Sequence, residues 1–168
     1  TGLLNRREFD RILAEETERA QRFGHSLALV MVDIDRFKAI NDTHGHPIGD
    51  AVLRDVARRL AEEVRTVDRV ARFGGEEFAL VIMESDAEAA MAAARRASAA
   101  MEREPVWASE TLPLTVTVSA GVAALPADAE SAEELVRAAD RALYAAKAAG
   151  RNCARSFASL AAGSKAGA

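Results

Sequence analysis

The chain alternates amphipathic stretches with short apolar runs. Residues 27–32 form a run of six consecutive hydrophobic residues, which is typical of a central strand covered on both faces. Elsewhere, apolar residues recur every three or four positions, and this spacing predicts amphipathic helices. Asn5 is the predicted N-cap of the first helix, which runs to about Phe23. The other predicted helices span residues 47–64, 86–103 and 132–148.

Shorter strand-like segments complete the pattern. Residues 69–73 and 78–83 flank a Gly-Gly pair, which is a strong hairpin signal because glycine adopts positive φ easily. A further strand is predicted over residues 114–125, and a short one near residues 154–157. Residues 41–50 form a polar stretch rich in turn formers. This order of elements favours an α+β sandwich with a mixed or antiparallel sheet and helices on its outer side.

The composition is that of one ordinary globular domain. Hydrophobic residues make up 49% of the 168 residues and charged residues 29%, and the net charge of −4 argues against sequence-independent nucleic-acid binding. No run of about 18 apolar residues occurs, so this fragment is not expected to enter a membrane. The single cysteine, Cys153, excludes an intrachain disulfide and favours a reducing compartment, so we expect this domain to be cytoplasmic.

Three carboxylates stand beside predicted strands. Asp33 follows the buried run directly, and Glu76 and Glu77 come just after the Gly-Gly turn. If these strands are neighbours, the carboxylates converge at one end of the sheet, and clustered hard oxygen ligands suit Mg²⁺. The alternative is that Asp33 caps a helix and the glutamates are solvated turn residues.

The turn itself offers a second kind of chemistry. Gly74 and Gly75 leave the backbone bare, so a phosphate could lie against it. The alternative is a plain hairpin. The complete string GGEEF, residues 74–78, is rare by chance at average composition, on the order of one position in a million.

Further motifs accompany this turn in order along the chain. They occupy residues 1–7 (TGLLNRR), 33–42 (DIDRFKAIND), 45–50 (GHPIGD), 74–78 (GGEEF), 139–147 (ADRALYAAK) and 150–152 (GRN). The series resembles the GGDEF domain, the catalytic domain of diguanylate cyclases, with Glu76 in a variant that the family accepts. The resemblance implies a ferredoxin-like, nucleotidyl-cyclase-like core with a five-stranded central sheet flanked by helices. We expect this domain to span residues 1–157, followed by a disordered tail over residues 158–168.

The resemblance implies a reaction and a metal site. Two GTP molecules would be joined into cyclic di-GMP with release of two pyrophosphates, using two Mg²⁺ ions per active site, or Mn²⁺ in their place. The metal ligands would be Asp33, Glu76 and the backbone carbonyl of Ile34, with Glu77 sharing this work. Glu76 would also be the base for the 3′-hydroxyl, and Lys38 would offset charge on the departing pyrophosphate.

The resemblance also implies substrate contacts. Asn41 and Asp50 would read guanine, whose paired N–H donors suit a carboxylate and distinguish GTP from ATP. Gly74 and Gly75 would lie against a phosphate, Lys147 and Arg151 would hold the terminal phosphates, and His46 matches a further substrate-contacting position. The alternatives are a turn residue for Asn41, a helix cap for Asp50, and solvated surface charges for the three cations Lys38, Lys147 and Arg151. His44 is expected at the surface, and Cys153 and Trp107 in packing.

A product-binding motif precedes the turn. Arg65 and Asp68 match the R-x-x-D inhibitory motif of the family at its spacing from GGEEF. An arginine fork and a carboxylate suit a guanine-bearing diphosphate, and Arg96 resembles a further contact to it. Taken alone, the motif would indicate a surface ion pair. The resemblance therefore implies feedback inhibition by cyclic di-GMP.

Several functions remain open from the sequence. An active cyclase would work as a homodimer, because each domain binds one GTP and two domains must meet. A catalytically idle receptor for cyclic di-GMP is the alternative, although such proteins usually have a damaged turn. A related cyclase that makes a mixed or an adenine dinucleotide is disfavoured by Asp50. A P-loop NTPase is excluded because its motif is absent.

Overall fold

The computed structural model describes residues 2–160, so residues 161–168 of the predicted tail lie outside the described residues. Residues 157–160, where that tail was expected to begin, form a single helical turn. None of the helices in the described part is long and apolar enough to cross a membrane. The elements in chain order are α1 (Arg6–Phe23), β1 (Leu27–Ile34), α2 (Phe37–His44), α3 (His46–Glu62), β2 (Arg69–Gly74), β3 (Glu77–Met83), α4 (Ala87–Arg103), β4 (Val106–Ser109), β5 (Leu112–Leu114), β6 (Val118–Leu125), α5 (Ala132–Ala148) and β7 (Ala154–Ser156).

The central sheet has five strands in the order β2-β3-β1-β6-β7. The strand β1 pairs antiparallel with both β3 and β6, while β7 adds to β6 in parallel. Because β1 lies in the middle with a partner on each side, both of its edges are satisfied by hydrogen bonds. Within this sheet, β2-β3-β1-β6 have the strand order of a ferredoxin-like fold, and β7 adds a fifth strand at the edge. The five-stranded core implied by the resemblance is therefore confirmed.

Helices cover both faces of the sheet, not only an outer side. In β1, Val30 and Val32 belong to a core formed with α3 and α4. Leu29 and Met31 point the other way, into a core formed with α1 and α5. All eight residues of β1 are buried, as the continuous apolar run predicted, because alternate side chains enter different cores.

The polar stretch after β1 is the main departure from the predicted elements. It contains α2, which begins after Arg36 in the left-handed conformation (φ 56°) and ends at Gly45, where α3 begins at once. Only Phe37 of α2 is buried, so the segment has no repeating apolar stripe. Turn formers in its sequence therefore concealed a helix.

The strand expected over residues 114–125 is divided. Leu114 ends β5, which forms a separate hairpin with β4, and β6 begins only at Val118. Trp107, expected to pack, lies on this hairpin with 62% of its surface exposed, so that expectation was wrong. The hairpin has too few buried residues to give a clear apolar pattern.

Candidate active site

The carboxylates predicted to converge do so at the end of the two central strands. Asp33, the penultimate residue of β1, is paired in register with Glu77, the first residue of β3. On its other side Asp33 is paired with Ser119 of β6. Asp33 is only 7% exposed, so two neighbouring strands hold it rigidly at the sheet end.

A lysine from the opposite end of the chain completes this cluster. Lys147 lies in the last turn of α5, and its Nζ is 2.7 Å from Oδ2 of Asp33. The helix approaches β6 closely at Gly121, where an added Cβ would lie 2.1 Å from the backbone N of Leu143. This close approach lets the end of α5 reach the end of β1.

Burial dominates the electrostatics of the cluster. Desolvation raises the pKa of Asp33 above its ordinary value; the hydrogen bond and charge of Lys147 oppose this, and Glu76 and Asp35 add to it. Desolvation also raises the pKa of Glu77, with further contributions from Asp33 and Asp140. The site therefore holds more negative charge than one lysine neutralises, and it favours additional cations.

The Gly-Gly turn lies beside Ile34. The backbone N–H of Ile34 donates to the carbonyl of Glu76 at 3.3 Å, which joins the two segments that carry the predicted metal ligands. Gly75 has a φ of +45°, a conformation that favours glycine, whereas Gly74 does not have a positive φ. A Cβ added to either glycine would meet no other atom within 4 Å, so the turn is open on the side where a side chain would stand.

Arg72 fixes the turn, and sequence reasoning missed it. Its Nε and Nη2 donate to the carbonyl of Gly75 at 3.0 and 2.8 Å. Phe73 is held in turn by an edge-to-face contact with Phe9 and by the guanidinium of Arg6, 3.6 Å from its ring centre. The opening motif of the chain thus supports the base of the turn, which its sequence alone did not reveal.

The donor set fits a divalent metal that shares its shell with substrate. Within residues 2–160, no three His, Cys, Asp or Glu side chains already enclose a metal position. Asp33, Glu76, Glu77 and the carbonyl of Ile34 nevertheless offer only oxygen. Mg²⁺ is commonly held by one or two carboxylates, with phosphates and water filling the remaining positions. An incomplete protein shell is therefore what such an ion requires.

The predicted guanine readers lie on α2 and α3. Asn41 is half-buried, and its Oδ1 is buried without a hydrogen-bond partner in the described structure. An unpaired buried polar atom of this kind suits a ligand that supplies the missing partner. Asp50 and His46 are exposed near the start of α3, and His44 is exposed at the end of α2, as expected.

Gly49 makes room for Asn41. A Cβ built on Gly49 would lie 1.9 Å from Oδ1 of Asn41 and 3.2 Å from Cζ of Phe37. Only glycine therefore permits the observed position of the Asn41 side chain. The sequence motif indicates a role for Asp50, and nothing in the sequence shows the contact that requires glycine at position 49.

Two predicted phosphate-binding cations lie apart from the carboxylate cluster. Lys38 is 85% exposed, and its Nζ pairs with Oδ2 of Asp42 at 2.5 Å. Arg151 is exposed in a left-handed conformation (φ 68°), where it lines a cavity of about 410 Å³ together with Asp35, Thr117 and Asn152. Of the three cations, Lys147 alone touches a carboxylate of the cluster.

Arg65 and Asp68 form a bidentate ion pair. Nε and Nη2 of Arg65 lie 3.1 and 3.0 Å from the two oxygens of Asp68, which is almost fully buried, and Nη2 also donates to the carbonyl of Met83. Hydrogen bonding to Asp68 raises the pKa of Arg65. Arg96 is not brought to this pair, since its guanidinium lies against Glu63. A cavity of about 340 Å³ opens beside Arg65.

Known proteins match the sequence of this chain over most of its length. A family model described as "Diguanylate cyclase, GGDEF domain" matches residues 1–153. The response regulator PleD of Caulobacter vibrioides is 40% identical over 153 residues, which is 90% of this chain and 34% of PleD. The chain spans about a third of the length of the curated relatives it matches.

Solved structures agree with the sequence match. The GGDEF domain of DgcB from Caulobacter crescentus, solved in complex with c-di-GMP, has a TM-score of 0.88 and 32% identity, covering 94% of this chain and 90% of that one. The active GGEEF domain of a diguanylate cyclase from Vibrio cholerae has a TM-score of 0.86 and 32% identity, covering 92% and 97%. The latter is named for the same turn sequence as residues 74–78 here.

Proposed function

Since this chain belongs to the GGDEF family of diguanylate cyclase domains, we propose that it condenses two GTP molecules into cyclic di-GMP and releases two pyrophosphates. The observation that carries the proposal is the meeting of Asp33, Glu77 and Lys147 at one sheet end, next to an open Gly-Gly turn. An idle domain would not need a partly buried, charge-rich cluster of this kind.

The proposed reaction has two equivalent steps. In each, the 3′-hydroxyl oxygen of one GTP attacks the α-phosphorus of the other, a P–O bond forms, and the bond to pyrophosphate breaks. The proton of the hydroxyl passes to Glu76, which lies in the turn and is also one of the proposed metal ligands. Because each GTP must both attack and be attacked, two copies of the domain face each other as a homodimer.

Diguanylate cyclases of this family normally use a divalent metal. We propose two Mg²⁺ ions held by Asp33, Glu76 and the carbonyl of Ile34, with support from Glu77. When bound, the metal would neutralise phosphate charge and stabilise the attacking and leaving oxygens. Lys147 forms an ion pair with Asp33 and is proposed to contact the terminal phosphates as well. Lys38 and Arg151, which are exposed, are proposed to bind the phosphates too.

The substrate base is proposed to lie between α2 and α3. Asn41 offers a buried, unpaired Oδ1, and Asp50 offers an exposed carboxylate, so both can accept N–H donors of guanine. His46 and the bare backbone of Gly74 and Gly75 are proposed to contact the rest of the substrate. Adenine has no matching donor pair, so GTP is favoured over ATP. We place this reaction in the cytoplasm, the usual source of GTP.

The proposal is tested by incubating the purified protein with GTP and Mg²⁺. We expect cyclic di-GMP by mass spectrometry, with one pyrophosphate released per GTP consumed, and no cyclic product from ATP. Glu76→Gln should abolish turnover, while Glu110→Gln, which alters an exposed glutamate in the β4–β5 turn, should retain it. Full activity of the Glu76→Gln variant would refute the assignment of the base. Binding of cyclic di-GMP without any turnover would instead favour the receptor function.

We further propose that cyclic di-GMP inhibits the enzyme through Arg65. The guanidinium is held in place by Asp68, whose oxygens are already engaged, and its outer edge faces the adjoining cavity. Asp68 then orients the arginine, and Arg96 reaches the same product after leaving Glu63. Calorimetry should show that Arg65→Ala loses product binding, whereas Arg11→Ala, which breaks an exposed ion pair on α1, does not. Equal binding of cyclic di-GMP by Arg65→Ala and the unaltered protein would refute inhibition through Arg65.

A further inference from the structure

Asp35 is a buried carboxylate that the proposed reaction does not use. It is 7% exposed and lies directly after the end of β1. Its Oδ1 accepts from the hydroxyl of Ser119 at 2.6 Å, and its Oδ2 accepts from the hydroxyl of Thr117 at 2.7 Å. Burying a carboxylate is costly unless several donors surround it, so this arrangement points to a specific task.

The third donor comes from a distant segment. The backbone N–H of Asn152, in the loop after α5, donates to Oδ2 of Asp35 at 3.0 Å. A carboxylate has only acceptor sites, so one side chain can receive all three donors at once. Asp35 thereby ties the end of β1, the start of β6 and the loop after α5 to one point.

That loop has an unfavourable backbone. Gly150, Arg151 and Asn152 all have positive φ, at 112°, 68° and 47°. For residues other than glycine, this conformation is unfavourable and persists only where surrounding contacts enforce it. The charge-assisted hydrogen bond from Asn152 to Asp35 is such a contact, because it acts on the residue next to Arg151.

We propose that Asp35 is the positioning residue for Arg151, and through it for the triphosphate of the substrate. Both residues line the same cavity of about 410 Å³. The N–H of Arg151 also donates to the carbonyl of Ala146 at 3.1 Å, which ties the start of the turn to α5. Without the acceptor at Asp35, the loop loses the contact that holds the other side of its left-handed turn, and Arg151 is free to leave the phosphate path. This inference rests on the proposed GTP reaction, since Arg151 is assigned there to the terminal phosphates.

The test compares nucleotides that differ in their phosphates. 3′-Deoxy-GTP keeps the triphosphate but lacks the attacking hydroxyl, so its binding is measured without turnover. For Asp35→Ala, we expect the Kd for 3′-deoxy-GTP by calorimetry to rise about tenfold, and the Kd for GMP by NMR titration to stay unchanged. Asp35→Asn retains an acceptor for the Asn152 N–H and should bind almost normally. Arg151→Ala should raise the Kd for 3′-deoxy-GTP by a similar factor. The double variant, Asp35→Ala with Arg151→Ala, should bind 3′-deoxy-GTP no more weakly than either single variant.

A structural readout separates this inference from the proposed function. Hydrogen exchange of the Asn152 amide should be slow in the unaltered protein and in Asp35→Asn, and fast in Asp35→Ala. If the unaltered protein binds neither nucleotide, the proposed function fails, and the amide exchange still reports on the loop. Should Asp35→Ala not fold, Asp35→Ala with Thr117→Val and Ser119→Ala removes the unpaired hydroxyls and serves instead. Unchanged binding of 3′-deoxy-GTP, or an equal loss for GMP, overturns the proposal.

Discussion

At the scale of single residues, the space beside Asn41 is set by Gly49. The side-chain oxygen of Asn41 occupies the volume that any Cβ at position 49 would need. We expect Gly49→Ala to displace Asn41 and to raise the KM for GTP about tenfold, with a smaller effect on kcat, because base binding is disturbed and the reacting atoms are not.

A double-mutant cycle isolates this contact. In Asn41→Ala, the space is empty, so adding Gly49→Ala should change the KM little further. Strict additivity of the two substitutions would show that Gly49 acts by another route. The free energy of unfolding, measured in urea, confirms that each variant is folded when assayed.

Also at this scale, Asp33 weakens the fold when it is ionised. Burial raises its folded-state pKa, so the native protein binds more protons than the unfolded chain between the two pKa values. Stability therefore falls as pH rises through this window and recovers as pH falls. We expect Asp33→Asn to increase the free energy of unfolding at pH 7 relative to the unaltered protein, and to do so less near pH 4.

Urea unfolding with EDTA at both pH values measures this effect without metal. Lys147 lowers the pKa of Asp33 and so reduces the cost of its charge. The increase in the free energy of unfolding caused by Asp33→Asn should therefore be larger when Lys147→Met is also present. A gain that is the same at both pH values would contradict the linkage argument. The cost of this carboxylate is consistent with a residue kept for function at the expense of stability.

At the scale of elements, the contact between α5 and β6 decides whether Lys147 reaches Asp33. A Cβ on Gly121 would meet the backbone of the helix, 2.1 Å from the N of Leu143 and 2.2 Å from the O of Ala139. Backbone cannot move aside as a side chain can. We expect Gly121→Ala to lower the free energy of unfolding by about 3 kcal/mol and to reduce turnover as well.

The matched control is Gly74→Ala. Gly74 lies in open space without a positive φ, so a methyl group there should change stability by a few tenths of a kcal/mol at most. Denaturant midpoints of the two variants make the comparison. Similar stability for Gly121→Ala and the unaltered protein would show that the helix shifts without cost.

How much the sequence could reveal also depends on the element. The buried run of β1 and the stripes of the long helices predicted their elements, and strand ends predicted that Asp33 and Glu77 meet. The helix α2 was missed because it buries only Phe37 and so has no periodic pattern. Contacts between distant segments, such as Asn152 with Asp35 or Arg72 with Gly75, depend on loop conformations that no periodicity encodes.

At the scale of the whole molecule, the proposed chemistry requires two copies. Each copy supplies one GTP and one set of reacting groups, so cyclic product forms only in a pair with both sites intact. We therefore expect the specific activity of the dilute protein to rise with its concentration, as mass action on a dimer demands. Rates of cyclic di-GMP formation over a dilution series measure this dependence.

The same requirement predicts that an inactive copy is inhibitory. Glu76→Gln replaces one carboxylate oxygen by an amide nitrogen of similar size, so the variant should still pair with an unaltered copy. Such a mixed pair has one functional base and cannot close the ring. An excess of Glu76→Gln should therefore lower the cyclic di-GMP made per unaltered copy several-fold, whereas the same mass of serum albumin should not. If the yield per unaltered copy were independent of added Glu76→Gln, each domain would be acting alone, and the two-copy mechanism would have to be abandoned.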